Sequence, residues 1–498
     1  MENTVHELAS VSPPATAPPL SFTYGVPRAA MTTSVHDALT HLKNEIDAIQ
    51  PVGIWDDAKK ITNPYEYIFL SLQKRMHRSI ATVQPLSRSY FKMIELWELL
   101  GLRTTTTGLR TSHSAEGPGG FIEAIMTKAP GSRSSAMTLR STERSVPGWR
   151  KSNTFLLTHP TVAITYGADG TGNLYSLANQ AAFAAASTTH LGGHADLYTA
   201  DGGFDFSTDY NGQENTVQRL LAAEALAGLQ TLKPGGTMIL KVFDTKQIAT
   251  LELLWILSGC FTRTALVKPH TSRPANSERY WIGLGLSDKI PAWIPSLLAR
   301  LTDTDATHGW VTLFAERPWT PDWLAGYQRF QEEVEQHQFV NIQMTLNVIK
   351  SPSRPQVLEM LTHNIHQSRT WCVRHKVAEN PQYAGISDAS LAALNLEEAL
   401  GPFLGSAGRM CSPGPSRPLP TPRAPISQPS QRPQAGPAWR SALPPSILGL
   451  RASQTASDTP SPTEPAPPVS HGEPGPAPVL PVHPSPSGAH PRSADSPE

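Results

Sequence analysis

Four ionisable side chains stand out by their settings: Lys92 in SRSYFK, Asp201 in TADGG, Lys241 in MILKVF and Glu278 in PANSE. A lysine held near other ionisable groups in a closed site can give up its proton and serve as a base. Lys241 lies inside an apolar run, where a charge is rarely buried without a partner. Asp201 before two glycines can face a ligand closely, although the same pattern also makes turns. Lys92 and Glu278 say little alone. Between the first two lies AEGPGGF, residues 115–121. Its glycines let backbone approach a ligand, and a helix opening there offers free N–H donors. The run is neither a Walker A loop nor a dinucleotide fingerprint, since it lacks Gly-Lys-Ser/Thr and the spaced glycines.

These residues need elements to position them. Short apolar runs predict strands at 111–115, 134–139, 160–165, 195–200, 236–243, 262–268 and 280–286. Helical periods fall between them at 119–128, 176–187, 213–231 and 246–259. Such alternation gives an α/β fold, a largely parallel sheet with helices on both faces, and the last two strands look like its antiparallel end. Ligands collect at the carboxyl ends of such strands. Glu116, Asp201 and Lys241 all fall at or near those ends. Helical patterns also predict elements from residue 35, at 64–79 and 89–100, at 322–349 and at 390–400.

The expected organisation is a flexible segment 1–34, a helical segment 35–110, the sheet domain 111–288, an accessory helical region 289–401 and a disordered Pro-rich tail 402–498. The tail holds 25 of the 47 prolines and cannot bury enough apolar surface to offset its ordering entropy. Its one apolar piece, PPSILGL at 444–450, suits a protein partner, although a passive tail reads as well.

Charge is balanced, 41 basic against 41 acidic residues, so a nucleic-acid partner would need a local basic surface. Three scattered cysteines give no disulfide or zinc spacing, which fits a reducing compartment. No HExxH or clustered His/Cys set suggests a metal. No apolar run of membrane-spanning length occurs, and the first 20 residues do not read as a secretory signal.

SRSYFKMIEL, AEGPGGFIEA, TADGGFD, LKPGGTMILKVFDT and KPHTSRPANSERYWIG resemble, in order, the motifs of FtsJ-like RNA ribose 2′-O-methyltransferases. The likeness is strongest to mRNA cap-1 enzymes of eukaryotes and large DNA viruses, through DGGF, GQEN and SRPANSERY, and covers about 60–290. NPYEYIF at 63–69 adds to it, and YQRF, TLNVI and RTWC look like viral members. The resemblance implies a Rossmann-like methyltransferase fold and a tetrad mapping onto Lys92, Asp201, Lys241 and Glu278. It also implies S-adenosylmethionine over Glu116, Gly117, Pro118, Gly119, Gly120 and Phe121, with Asp201 near it. The family's acid after the second strand is absent. Met137, Thr138, Leu139 and Arg140 stand there, and Thr138 is the residue assigned to the cofactor. In GADGTGNL, Asp169 or Asn173 could meet the adenine, with Asn173 the better fit.

The implied partner is RNA, with the capped mRNA 5′ end as acceptor, and the expected location is the cytoplasm or nucleus of a cell, for a cellular or a virus-encoded protein. Ribosomal or transfer RNA is the alternative substrate, and a non-catalytic RNA-binding scaffold the alternative class. Lys241 is the expected base, its pKa lowered by Lys92 and by burial. Lys92 would hold the hydroxyl or its developing oxyanion, and Asp201 and Glu278 would orient. Arg140, Arg144, Arg150, Lys151, Arg273 and Arg279 are candidates for phosphate contacts. Trp55, Tyr65 and Trp149 are candidates for stacking on a cap.

Overall fold

The computed structural model describes residues 4–51, 53–70, 79–102, 108–143, 146–204, 211–304 and 309–404. The segment 405–498, with PPSILGL, and positions 71–78 of the predicted helix 64–79 lie outside the described residues.

The chain opens with strands β1 (Thr4–Leu8) and β2 (Leu20–Tyr24), then helices α1 (His36–Asp47), α2 (Ile54–Thr62) and α3 (Ser89–Leu99). The sheet domain follows as β3 (Arg110–Ser114), α4 (Gly120–Lys128), β4 (Arg133–Met137), α5 (Asn153–Thr158), β5 (Val162–Thr165), α6 (Leu177–Leu191) and β6 (Ala195–Ala200). It continues with α7 (Gln213–Thr231), β7 (Leu232–Phe243), α8 (Ile248–Ser258), β8 (Phe261–Lys268) and β9 (Glu278–Leu286). Last come α9 (Trp293–Asp303), β10 (Trp310–Phe314), α10 (Pro321–Lys350), α11 (Arg354–Arg374) and α12 (Asp388–Leu404).

Eight strands form one sheet in the order β1-β8-β9-β7-β6-β3-β4-β5. The run from β7 to β5 is parallel. β9 runs antiparallel to both of its neighbours, β7 and β8. The expected antiparallel end is therefore one reversed strand inserted inside the sheet, and the edge beyond β8 is taken by β1. Residues 1–34, expected to be flexible, supply that edge strand and β2, which pairs with β10. The accessory region is accordingly not purely helical. Short strands whose partners lie some 260–290 residues away leave no local signal, because pairing and not period creates them.

Side chains alternate across the sheet, so each strand feeds two cores. Tyr198, Met238, Leu240, Val242 and Trp281 pack on one face with α6 to α9. Leu197, Ile239, Tyr280 and Ile282 pack on the other with α3 and α4 and with α10 to α12. Residues such as Phe121, Phe183 and Trp281 are fully buried, each worth about 1.5–3 kcal/mol in transfer terms. This second face is where Asp201, Lys241 and Glu278 sit. Thr199 pairs with Ile239, Lys241 with Tyr280, and Phe243 with Glu278. Asp201, Lys241 and Glu278 therefore share the parity of Leu197, Ile239 and Tyr280. They stand where that face rises past its apolar core.

Candidate active site

The four side chains meet in two ion pairs. Lys241 Nζ lies 3.2 Å from Asp201 Oδ1 and donates at 2.7 Å to the Asp201 carbonyl. Lys92, carried on α3, places Nζ 2.7 Å from Glu278 Oε1. All four side chains keep slight exposure, between 11% and 13%, so they are nearly buried yet reachable. Tyr280 donates its hydroxyl to Asp201 Oδ1 at 2.9 Å, and Ser272 Oγ donates to Glu278 Oε1 at 2.8 Å.

The electrostatics correct one expectation. Burial alone would lower the Lys241 pKa, but the charges of Asp201 and Glu278 and the Asp201 hydrogen bond outweigh it, and the net shift is upward. The opposing carboxylates, and not the second lysine, decide the resting state. Burial would likewise raise Glu278, but Lys92, Lys241 and Lys268 hold its carboxyl well below the usual range.

Sequence reasoning passed over three nearby groups. Tyr280 gave no motif of its own. Glu224 of α7 is buried, and burial pushes its carboxyl up to about 8 against the pull of Lys241. A lone glutamate in the run LLAAEALAGL was its only signal. It explains the first glycine after Asp201, since a Cβ on Gly202 would fall 2.1 Å from Glu224 Oε1. Lys268, at the end of β8, is the third.

Three of the four, Asp201, Lys241 and Glu278, line a cavity of about 920 Å³ together with Gly117, Pro118, Thr138 and Asn173, and Lys92 stands behind Glu278. Asn173 lines the cavity, and its Oδ1 accepts from Tyr175 N–H, while Asp169, outside the lining, accepts from Thr171 N–H and Oγ–H. Of the remaining glycine-turn residues, Phe121 is a core side chain stacked near Tyr280, with ring centroids 5.8 Å apart. Gly120 lies against Ser87 and Ser89, and Gly119 against Trp149. Glu116 is buried beside the turn. Thr199 donates to its Oε1, its Oε2 has no partner, and burial raises its pKa.

Other expectations change. Arg279 is fully buried, donating to Ser277 O at 2.9 Å and Gln331 Oε1 at 2.5 Å, so it is no phosphate contact. Arg273 pairs with the buried Glu66 at 2.8 Å. Arg150 donates to the backbone carbonyls of Ser141, Glu143 and Val146. Arg140 lies over the Tyr166 ring, Lys151 is exposed, and Arg144 falls outside the described residues. Trp55 and Trp149 are buried, each at 7% exposure, whereas Tyr65, 8% exposed, stacks on His270 and lines a second cavity. Phe204, 45% exposed, is the aromatic ring in the cavity lining that solvent reaches most.

A family model described as FtsJ-like methyltransferase matches residues 85–286. These residues form an FtsJ-like methyltransferase domain. Its span runs from just before α3 to the end of β9 and so contains all four tetrad positions. The chain is 36% identical over 184 residues to cap-specific mRNA (nucleoside-2′-O-)-methyltransferase 1 of Trypanosoma cruzi, covering 36% of this chain and 48% of that one. The Xenopus laevis protein of the same name is 36% identical over 182 residues, covering 35% and 21%. A protein named probable methyltransferase EP424R, from African swine fever virus, is 45% identical over 87 residues, covering 18% and 20%. The chain thus spans about half or less of each of these relatives. No described helix is long and apolar enough to cross a membrane.

Proposed function

We propose that this chain is an S-adenosylmethionine-dependent RNA ribose 2′-O-methyltransferase acting on the first transcribed nucleotide of capped mRNA. The observation that carries the reading is the convergence of Lys92, Asp201, Lys241 and Glu278 at one end of the sheet, three of them lining a cavity shared with the glycine turn. The names of the relatives support the RNA and cap assignments.

The cavity suits the cofactor. Its volume falls in the range of small-molecule sites. Gly117 and Pro118 lead into the N-terminus of α4, while Thr138 and Asn173 line the cavity from the ends of neighbouring loops. Gly117 and Gly172 have no room for a side chain: a Cβ would lie 2.6 Å from Gly148 O and 2.0 Å from Thr138 O. When bound, S-adenosylmethionine would supply a methyl group on a cationic sulfur. Lys241 then takes the proton of the ribose 2′-hydroxyl. Asp201, held by the Tyr280 hydroxyl, fixes the direction of the Lys241 amine. Lys92 steadies the developing oxyanion, and Glu278 keeps Lys92 in place. RNA is the partner this chemistry requires, and a protein partner for residues 402–498 belongs to the proposal on composition alone.

Transfer of labelled methyl to short capped and uncapped RNAs of one sequence tests the reading. Preference for capped RNA, with the label on the first nucleotide, is expected. Equal transfer to both points to ribosomal or transfer RNA, and no transfer to any RNA points to a scaffold. A second outcome concerns the cradle. Gly172 has φ +70°, and a side chain there strains the backbone by about 1–2 kcal/mol besides striking Thr138. Gly172→Ala should weaken cofactor binding at least about tenfold, equivalent to about 1.4 kcal/mol, as read by calorimetric titration.

A further inference from the structure

Residues 269–277 join β8 to β9, carry Asn276 to the cavity and lead directly into Glu278. Their other side faces a second cavity of about 660 Å³, lined among others by Ile61, Tyr65, Lys268, His270, Met344 and Met360. Lys268 stands between the two cavities. Its Nζ donates to Glu278 O at 2.6 Å, Asn276 O at 2.8 Å, Ser272 Oγ at 2.9 Å and Arg273 O at 3.3 Å. Ser272 passes the link on, donating to Glu278 Oε1. One cation thus gathers both ends of the loop and, through a hydroxyl, reaches the carboxylate that holds Lys92.

Resting on the methyl-transfer reading, we propose that Lys268 is a positioning residue that sets Glu278 against Lys92 without itself touching substrate. A partly buried ammonium is a costly way to fill space, since a methionine of similar length would do so without desolvation. Burial indeed pushes the Lys268 ammonium down, to about 7, with Glu278 opposing that shift and Arg279 and Lys92 adding to it. What the amine provides, and methionine lacks, is a set of donors converging on four oxygens. A second restraint acts on the same loop from α3 and α11. Glu95 accepts from the His270 and Thr271 N–H groups at 2.7 and 2.9 Å and from Trp371 Nε1 at 2.9 Å. With that restraint intact, loss of Lys268 loosens the end of the loop nearest Glu278 and leaves the rest docked.

The test compares wild type, Lys268→Met, Lys268→Ala and Ser272→Ala in the full chain, with Lys241→Ala as the inactive reference. Small displacements behind a reacting centre can cost about 10²-fold. Both Lys268 variants should lose about that much kcat, while cofactor affinity and the KM for RNA stay near wild type. Ethylammonium or propylammonium should restore Lys268→Ala in a saturable way, because the second cavity opens onto the vacated place. It should not restore Lys268→Met, whose side chain fills it. Wild-type kcat in Lys268→Met overturns the inference, as does a loss that no amine restores. If neither Lys268 variant folds, Ser272→Ala decides: a loss of about 3–10-fold supports the inference, and an unchanged kcat overturns it. A wild type inactive on every RNA sinks the transfer reading and this inference together. An active wild type with an unimpaired Lys268→Met sinks the inference alone.

Discussion

Lys241→Ala should lower kcat for methyl transfer by about 10²–10⁴-fold, the usual worth of a positioned general base, while RNA binding by fluorescence anisotropy stays close to wild type. The pH profile carries further information. Because Asp201 and Glu278 raise the Lys241 pKa, the free enzyme holds an ammonium at neutral pH. Log kcat/KM, which reports the free enzyme, should therefore climb with a slope near one from about pH 7 to 9, since each unit deprotonates tenfold more lysine. Asp201→Asn removes one of the two opposing charges, so its rising limb should move to lower pH even as its maximum rate falls. A flat wild-type profile over that range would rule out Lys241 as the base. The stability linkage has the opposite sense. A lysine raised above its unfolded value stabilises the fold fully below the unfolded pKa near 10.4, and that contribution disappears as pH rises through the folded value.

Glu278→Ala should have the second largest effect, and it should appear in stability as well as rate. Lys92, Lys241 and Lys268 all act on this carboxylate. Removing one member of a nearly buried ion pair costs about 3–5 kcal/mol, because the cations left behind are uncompensated. Glu278→Gln keeps the shape and part of the hydrogen bonding, so it should lose less stability but a similar share of rate. Urea denaturation separates the two variants, and equal midpoints for wild type and Glu278→Ala would contradict the ion-pair account. The sign again follows from the shift. A carboxylate lowered to about 2 stabilises the fold above its unfolded pKa near 4.3, and the contribution is lost as acid takes the pH down through 2.

Much of the sheet was legible because its strands are compact apolar runs between helices of clear period. The predicted 195–200 is β6 to the residue, and 262–268 and 213–231 match β8 and α7 within one. The strands β1, β2 and β10 were not, since each is defined by a partner far along the chain. The tetrad positions could be chosen by motif, but their charge balance could not. The upward shift of Lys241 depends on separations of a few ångströms that no spacing encodes. The same holds for Glu224, Tyr280 and Lys268, whose roles arise from where a strand end or helix face happens to stop. Two of the aromatic candidates changed for a related reason: Trp55 and Trp149 were chosen by ring type, but folding spends them in the interior.

Lys241 and Glu278 stand on two hydrogen-bonded strands of one sheet, and Asp201 directly follows a third and is tied to Lys241 by an ion pair. Lys92 alone rides on a helix. Any adjustment of the centre to differently shaped acceptors therefore has to come from sliding or tilting α3, with Lys92 as the moving jaw of an otherwise rigid vice.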